Sequence, residues 1–183
     1  MKLDLHTHCG EATASSSPTE EIIRDIVASV RARGLDGIAI TEHWSKTYGY
    51  EAKEMVEKRF GEEILVIPGQ EDDRIFIGEE KGFYHSHIVE LDLPCGLPFR
   101  FVAHPGDWYV DELWHMVAKN GIHGIEIANP NHDDEMDTEK IRELAEAYDL
   151  ILLRNSDAHH LGDIGVYYNE LELDDLCARA RRG

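Results

Sequence analysis

The chain is short of cations, thiols and long apolar runs, and each shortage removes a class of function. Lys and Arg number 18 against 37 Asp and Glu in 183 residues, a formal charge of −19. A field of that sign repels phosphate backbones and anionic lipid, so neither non-specific nucleic-acid binding nor membrane association is expected. There are three cysteines, Cys9, Cys95 and Cys177, an odd number without a close pair. No disulfide framework and no thiolate zinc site can be read from them, and the usage fits a reducing cytoplasm. No apolar run nears the ~20 residues of a membrane span, and residues 1–6 lack the basic and apolar regions of a signal peptide. A glycine-rich phosphate loop is also missing after the first apolar run, where a dinucleotide-binding fold would place one. Histidine, by contrast, is plentiful, at 11 residues.

With 42% hydrophobic and 30% charged residues, and neither repeat nor linker, residues 1–183 read as one domain. Ser17, Pro18 and Glu20 make a capping box with proline at the first helical position. Ile22, Ile23, Ile26, Val27 and Val30 then recur at helical spacing until Gly34. Further helices are expected over 51–60, 110–118, 141–148 and 174–180. Apolar strand runs lie at 3–5, 37–41, 64–67, 83–91, 99–103, 124–128 and 150–153, with a weaker one at 166–168. Such βα alternation, continued throughout, implies an α/β protein with a parallel sheet buried on both faces. Strand after strand ends in a residue able to bind metal, which is how a TIM-like barrel builds a site, so a small barrel is favoured over a doubly wound sheet.

His6 and His8 flank Thr7 at the end of the first strand. Strand side chains alternate faces, so both imidazoles project the same way from Cα atoms ~7 Å apart and can reach one cation. Asp157 and His159 repeat the spacing, and His43, Glu71, His87 and His104 lie between at other strand ends. Nitrogen and oxygen donors without thiolate suit Zn²⁺, Mn²⁺ or Fe²⁺ and disfavour a closed structural zinc site. These candidates outnumber the positions around one ion, so two or three divalent metal ions sharing a bridging carboxylate are expected. Adjacent ions lower the pKa of a bridging water and hold both the attacking and the departing oxygen of a phosphoryl displacement. Neutral imidazoles leave the charge of the ions uncancelled, which draws a phosphate dianion to an otherwise acidic chain.

At Asp4-Leu-His-Thr-His8, Ile40-Thr-Glu-His43, Ile67-Pro-Gly-Gln-Glu71, His87-Ile-Val, Ala103-His-Pro105 and Ser156-Asp-Ala-His159, the sequence resembles the PHP (polymerase and histidinol phosphatase) family of metal-dependent phosphoesterases. The segments follow the family's order and span most of the chain. The resemblance implies a distorted (β/α)7 barrel carrying two or three metals. It implies that Glu71 bridges ions, and that His87 and His104 serve the ion furthest from His6 and His8. It also selects His87 over His85, which becomes a wall residue. Where the family has an acid or histidine a few residues after the second histidine, Thr13 and Ala14 stand here, and Glu11 is the nearby substitute.

The expected function is a cytoplasmic phosphoesterase that hydrolyses a small phosphorylated substrate, a phosphomonoester, nucleotide or oligonucleotide end, by attack of a metal-bridging hydroxide. His6, His8, His43, Glu71, His104, Asp157 and His159 are its expected catalytic residues, and Arg154 and Lys46 its candidate phosphate clamps. Trp108, Tyr109 and Trp114 read as core more than as substrate contacts. His115, His123 and His132 read as structural or solvated, His160 as pointing away, and Cys9 as a small buried residue. Two alternatives are a metal-dependent amidohydrolase, which typically bridges its metals through a modified lysine, and a non-catalytic metal-stabilised module. Oligomeric state leaves no mark in the sequence.

Overall fold

The computed structural model describes residues 1–78, 82–106 and 121–182. Strands β1 (Lys2–Asp4), β2 (Gly37–Ile40) and β3 (Leu65–Gly78) run in parallel, with Leu3 against Gly37 and Ile38 against Val66. Leu3, Ile38, Ala39, Ile40 and Ile67 are completely buried, because helices cover one face of these strands and the barrel interior the other. After the single turn α1 (Cys9–Ala12), helix α2 (Glu20–Ala32) buries Ile23, Ile26, Val27 and Val30, each worth about 1.5–3 kcal/mol. Its cap is Thr19, not Ser17 as the capping-box reading has it. Thr19 has the extended backbone a cap needs (φ −107°, ψ 166°) and accepts from the Ile22 N–H, whereas the Ser17 carbonyl accepts from Ser15 Oγ. Helix α3 (Thr47–Phe60) begins earlier than its apolar spacing indicates and ends at Gly61, whose φ of 64° is one a side chain would strain.

The expected βα alternation breaks at β3. Instead of a helix, β4 (Gly82–Asp92) follows and pairs antiparallel with β3 from Gly69–Leu91 to Gly78–Gly82. β4 then pairs antiparallel with β5 (Pro98–Val102). Residues 72–78, Asp-Asp-Arg-Ile-Phe-Ile-Gly, carry β-branched and aromatic types with no helical period, so the strand simply runs on. Parallel order resumes through β5, β6 (Gly124–Ala128) and β7 (Ile151–Arg154), with α4 (Thr138–Tyr148) crossing between the last two. Asp137 caps α4 by accepting from the Glu139 and Lys140 N–H groups.

The sheet order is β7-β6-β5-β4-β3-β2-β1-β8, with the two-residue β8 (Asn169–Glu170), slightly beyond the weak run at 166–168, antiparallel to β1. Asn169 nearly closes the barrel. Its amide donates to the Leu3 and Arg154 carbonyls and its oxygen accepts from the Arg154 N–H, tying β1 to β7. The protein is therefore a small, distorted TIM-like α/β barrel. Helix α5 (Leu173–Ala180) packs against β5, and Cys177 on it is joined by a disulfide to Cys95 in the β4–β5 turn. The cysteine reading is corrected here: 82 residues separate the pair, and tertiary folding alone brings them together. The helix expected over 110–118, with Trp108, Tyr109, Trp114 and His115, lies outside the described residues, as does the side chain of His85.

Candidate metal centre

One end of the barrel collects the donors. His6 and His8 follow β1, held by the Thr7–Ala158 bridge and the His8 N–H to Ala158 carbonyl bond at 2.9 Å. His43 follows β2 and bridges in register to Glu71 within β3. His104 follows β5, and Asp157 and His159 follow β7. His87 comes from the first half of β4, the strand that runs the other way. Trp44, His104 and Asp157 all have positive φ (55°, 24° and 48°), a strained conformation for such side chains that gathers at this rim.

Four buried atoms form the tightest group. His6 Nε2 and His8 Nε2 are 3.1 Å apart. Each lies 3.2–3.4 Å from both Glu71 Oε2 and Asp157 Oδ1. Donors at about 2.0–2.1 Å in a tetrahedron around zinc stand about 3.3 Å apart, so the spacing fits a divalent ion without rearrangement. Asp157 Oδ1 and His8 Nδ1 are buried with no hydrogen-bond partner among the described residues. A buried carboxylate oxygen left bare is costly unless a cation completes it. Burial opposes charge on Glu71 and Asp157, yet the imidazoles of His6, His8, His43 and His104 hold both carboxyls well below the usual range. Burial likewise works against a charged His6, but Asp157, Glu71 and Glu126 outweigh it and raise its pKa.

Two further groups share members with the first. Glu71 Oε1 faces away from the first group and lies 2.7 Å from His87 Nδ1 and 3.1 Å from His104 Nε2. Glu11 joins the other, with His8 and His159: its Oε2 is 3.4 Å from His159 Nε2, and its Oε1 is 2.6 Å from His43 Nδ1. The turn α1 that carries Glu11 is docked by Glu42, which accepts the Gly10 N–H at 2.6 Å. A Cβ on Gly10 would come within 3.0 Å of Glu42 Oε2, so glycine lets the turn approach. Beside this group opens a cavity of about 380 Å³ lined by Glu11, Ser15, Ser16, Glu42, Ser45 and Tyr48 among others.

All nine candidate ligands thus converge, Glu11 among them. The two candidate clamps do not join them. Lys46 Nζ is paired with Glu90 Oε1 and Asp92 Oδ1, both at 2.7 Å, and Arg154 is exposed, with no ion pair among the described residues. His160 is exposed as expected, and His123 is structural, its Nδ1 accepting from the Arg100 N–H and its ring stacked on Phe99.

Two residues escaped the sequence reading. Glu126, wholly buried in β6, lies 3.0 Å from His6 Nδ1 and accepts from His104 N–H, Asn129 and Asn155. A β-bulge between Glu126 and Ala128 aims it inward. A carboxylate on the far nitrogen of a ligand imidazole fixes the tautomer and leaves the near nitrogen free to bind. The signal was an acid inside the apolar run Gly-Ile-Glu-Ile-Ala. The other is His132, read as structural or solvated: it stacks on His104 with ring centres 4.2 Å apart.

Residues 135–183 match the family model described as PHP-associated, and they include the Ser156-Asp-Ala-His159 run that ends the motif series. No curated protein matches this chain in sequence. Among solved structures, a protein from Bifidobacterium adolescentis, provisionally described as a metal-dependent phosphoesterase, superposes with a TM-score of 0.67 at 14% identity, over 97% of this chain and 96% of that one. An amidohydrolase from Chromobacterium violaceum, solved with bound sulfate and no metal, gives 0.67 at 16% identity over 98% and 97%. PsfC from Pseudomonas syringae gives 0.57 at 13% over 95% and 86%. At such identities the likeness establishes the fold of this chain alone.

Proposed function

We propose that this chain is a metal-dependent phosphoesterase of PHP type acting on a small phosphorylated molecule. The observation that carries the reading is Glu71, a buried carboxylate whose two oxygens face separate sets of imidazole nitrogens. Zn²⁺, Mn²⁺ or Fe²⁺ ions, when bound, supply positive charge for a phosphoryl group and lower the pKa of water toward neutrality. His6, His8, Glu71 and Asp157 would hold one ion, Glu71, His87 and His104 a second, and His8, Glu11 and His159 a third, with His43 Nδ1 beside Glu11 Oε1. Glu126 orients His6, and Asn129 and Asn131 steady Asp157 by donating to its Oδ2 at 3.4 Å. The exposed side of the centre, around Glu11, His43 and His159, admits substrate. The hydroxyl-lined cavity beside it has room for a small leaving group such as a sugar or nucleoside and not for a polymer.

An amidohydrolase would call for a lysine among the bridging groups. Lys46 is occupied by Glu90 and Asp92 instead, which favours the phosphoesterase. Protein stripped of metal and reloaded with Mn²⁺ or Zn²⁺ is expected to take up more than one equivalent and to hydrolyse p-nitrophenyl phosphate. Hydrolysis that survives both chelation and His6→Ala would overturn the reading.

A further inference from the structure

Trp44 directly follows the donor His43, and its indole is 69% exposed, the most of any large apolar side chain among the described residues. Its backbone has a φ of 55°, in the left-handed region that strains a bulky side chain. Two bonds hold it there: the Trp44 N–H donates to the Glu71 carbonyl at 2.9 Å, and the Glu71 N–H donates to the Glu42 carbonyl at 3.2 Å. The indole thereby stands beside the His43 imidazole, with ring centres 5.5 Å apart and planes 46° from parallel. His43 Nε2 in turn lies 3.2 Å from Glu71 Oε2, so one imidazole separates the indole from the buried donors.

Among the described residues the ring packs in none of the three apolar clusters of the core, and no cation lies over it. Tyr50, the other strongly exposed aromatic of this segment, has a structural use: its hydroxyl donates to Asp92 at 2.6 Å and ties α3 to β4. Trp44 has none of that kind. A strained backbone that displays an aromatic face to water costs stability, and such strain persists where a site needs it. Glu42 and Ser45, which flank His43 and Trp44 in the chain, line the cavity of about 380 Å³, so the indole stands near the space assigned to the leaving group. An indole offers a broad flat π face, which favours a flat ring over a flexible chain.

We propose that Trp44 determines specificity by stacking on a flat aromatic or heteroaromatic ring in the leaving group of the phosphoester, a role that rests on the phosphoesterase reading. A ring joined to the phosphoryl group through one sugar or one short linker spans the width of the His43 imidazole. The phosphoryl group then lies at the donors while the ring lies on the indole. Stacking tolerates any ring with a π face, so the contact selects a class of leaving group and not one member of it.

The test uses metal-loaded protein, with phosphonates, whose C–P bond resists hydrolysis, as probes in calorimetric titrations. Two pairs differ by the ring: benzylphosphonate against ethylphosphonate, and the phosphonate isostere of adenosine 5′-monophosphate against that of ribose 5-phosphate. In the wild type the ring-bearing member of at least one pair is expected to bind about 5- to 100-fold tighter. Trp44→Leu should abolish that ratio and Trp44→Phe should keep most of it, with metal content unchanged in both because the indole holds no ion. A ratio in the adenosine pair alone supports the proposal with a nucleobase as the ring, and one in the benzyl pair supports it with an aryl group. No ratio in either pair overturns it, as does a ratio that survives Trp44→Leu. Loss of an ion in that variant overturns it too, making Trp44 a prop for His43. A wild type that hydrolyses p-nitrophenyl phosphate without any ring preference keeps the functional reading and sinks this one. A Trp44-dependent preference without hydrolysis of any phosphoester does the opposite, and a loaded protein that binds none of the probes overturns both.

Discussion

Two donor groups of the centre differ in their access to water. His6, His8, Glu71 and Asp157 have side chains 0–4% exposed. Glu11, His43 and His159 are 46%, 27% and 40% exposed. The charges of the buried group are met by one another and by neighbours such as Glu126, Asn129 and Asn131, so an ion there would replace an arrangement of desolvated carboxylates and proton-holding imidazoles. The exposed group can return to water when its ion leaves, at little cost. Were ions bound at both, the deep one would stabilise the fold and the exposed one would exchange with solvent. Burial, not ligand type, makes the distinction.

Glu71→Gln should break the comparison most severely, because it removes the one carboxylate shared by the buried groups. Partners that merely orient a ligand cost 10- to 100-fold in metal affinity when lost, so this direct and bridging donor should cost more than about 100-fold, with turnover falling alongside. Elemental analysis after dialysis would show it, and a full complement of ions in the variant would move the bridge elsewhere. Glu126→Gln comes next. It weakens the carboxylate on His6 Nδ1, and the deep ion should bind about 10- to 100-fold more weakly while the exposed group keeps its affinity. Equal weakening at both groups would mean that the barrel had shifted as a whole.

What could be read from the sequence divides along the same line. The candidate ligands were legible because imidazoles and carboxylates at strand ends are chemically distinctive and their order resembles a known motif series. Lys46 and Arg154 misled because a cation near a motif does not reveal its partner: Glu90 and Asp92, more than 40 residues away in sequence, claim Lys46. Glu126 stayed hidden in an apolar strand because its partner, His6, is 120 residues distant. The β3–β4–β5 meander was missed for a different reason. Parallel and antiparallel interior strands carry the same apolar types, and direction is set by what connects them. Asp4 is of the Glu126 kind. Burial pushes its carboxyl up to about 6, and it accepts from Ser156 and Gly165 at the far end of the chain, which anchors the loop that carries Asp157.

The smallest expected effect is the most discriminating. In metal-free protein the His43 pKa is raised from 6.5 to about 9, first by its hydrogen bond to Glu71, against some opposition from burial, and then by Glu11. A raised pKa means that the proton stabilises the folded chain fully below 6.5 and that this contribution is lost as pH rises through about 9. An ion entering the exposed group must displace that proton. Its affinity should therefore climb about tenfold per pH unit up to about 9 and level off above. Glu11→Gln removes one of the two carboxylates that hold the proton and also one donor to the ion. The labile ion should then bind about tenfold more weakly at high pH, and the levelling should come at a lower pH, with the deep ion unaffected. Metal titrations between pH 6 and 10, followed by proton release into buffers of different ionisation enthalpy, would check both statements. A Glu11→Gln protein that retains the labile ion and loses the deep one would show that exposure does not rank these positions.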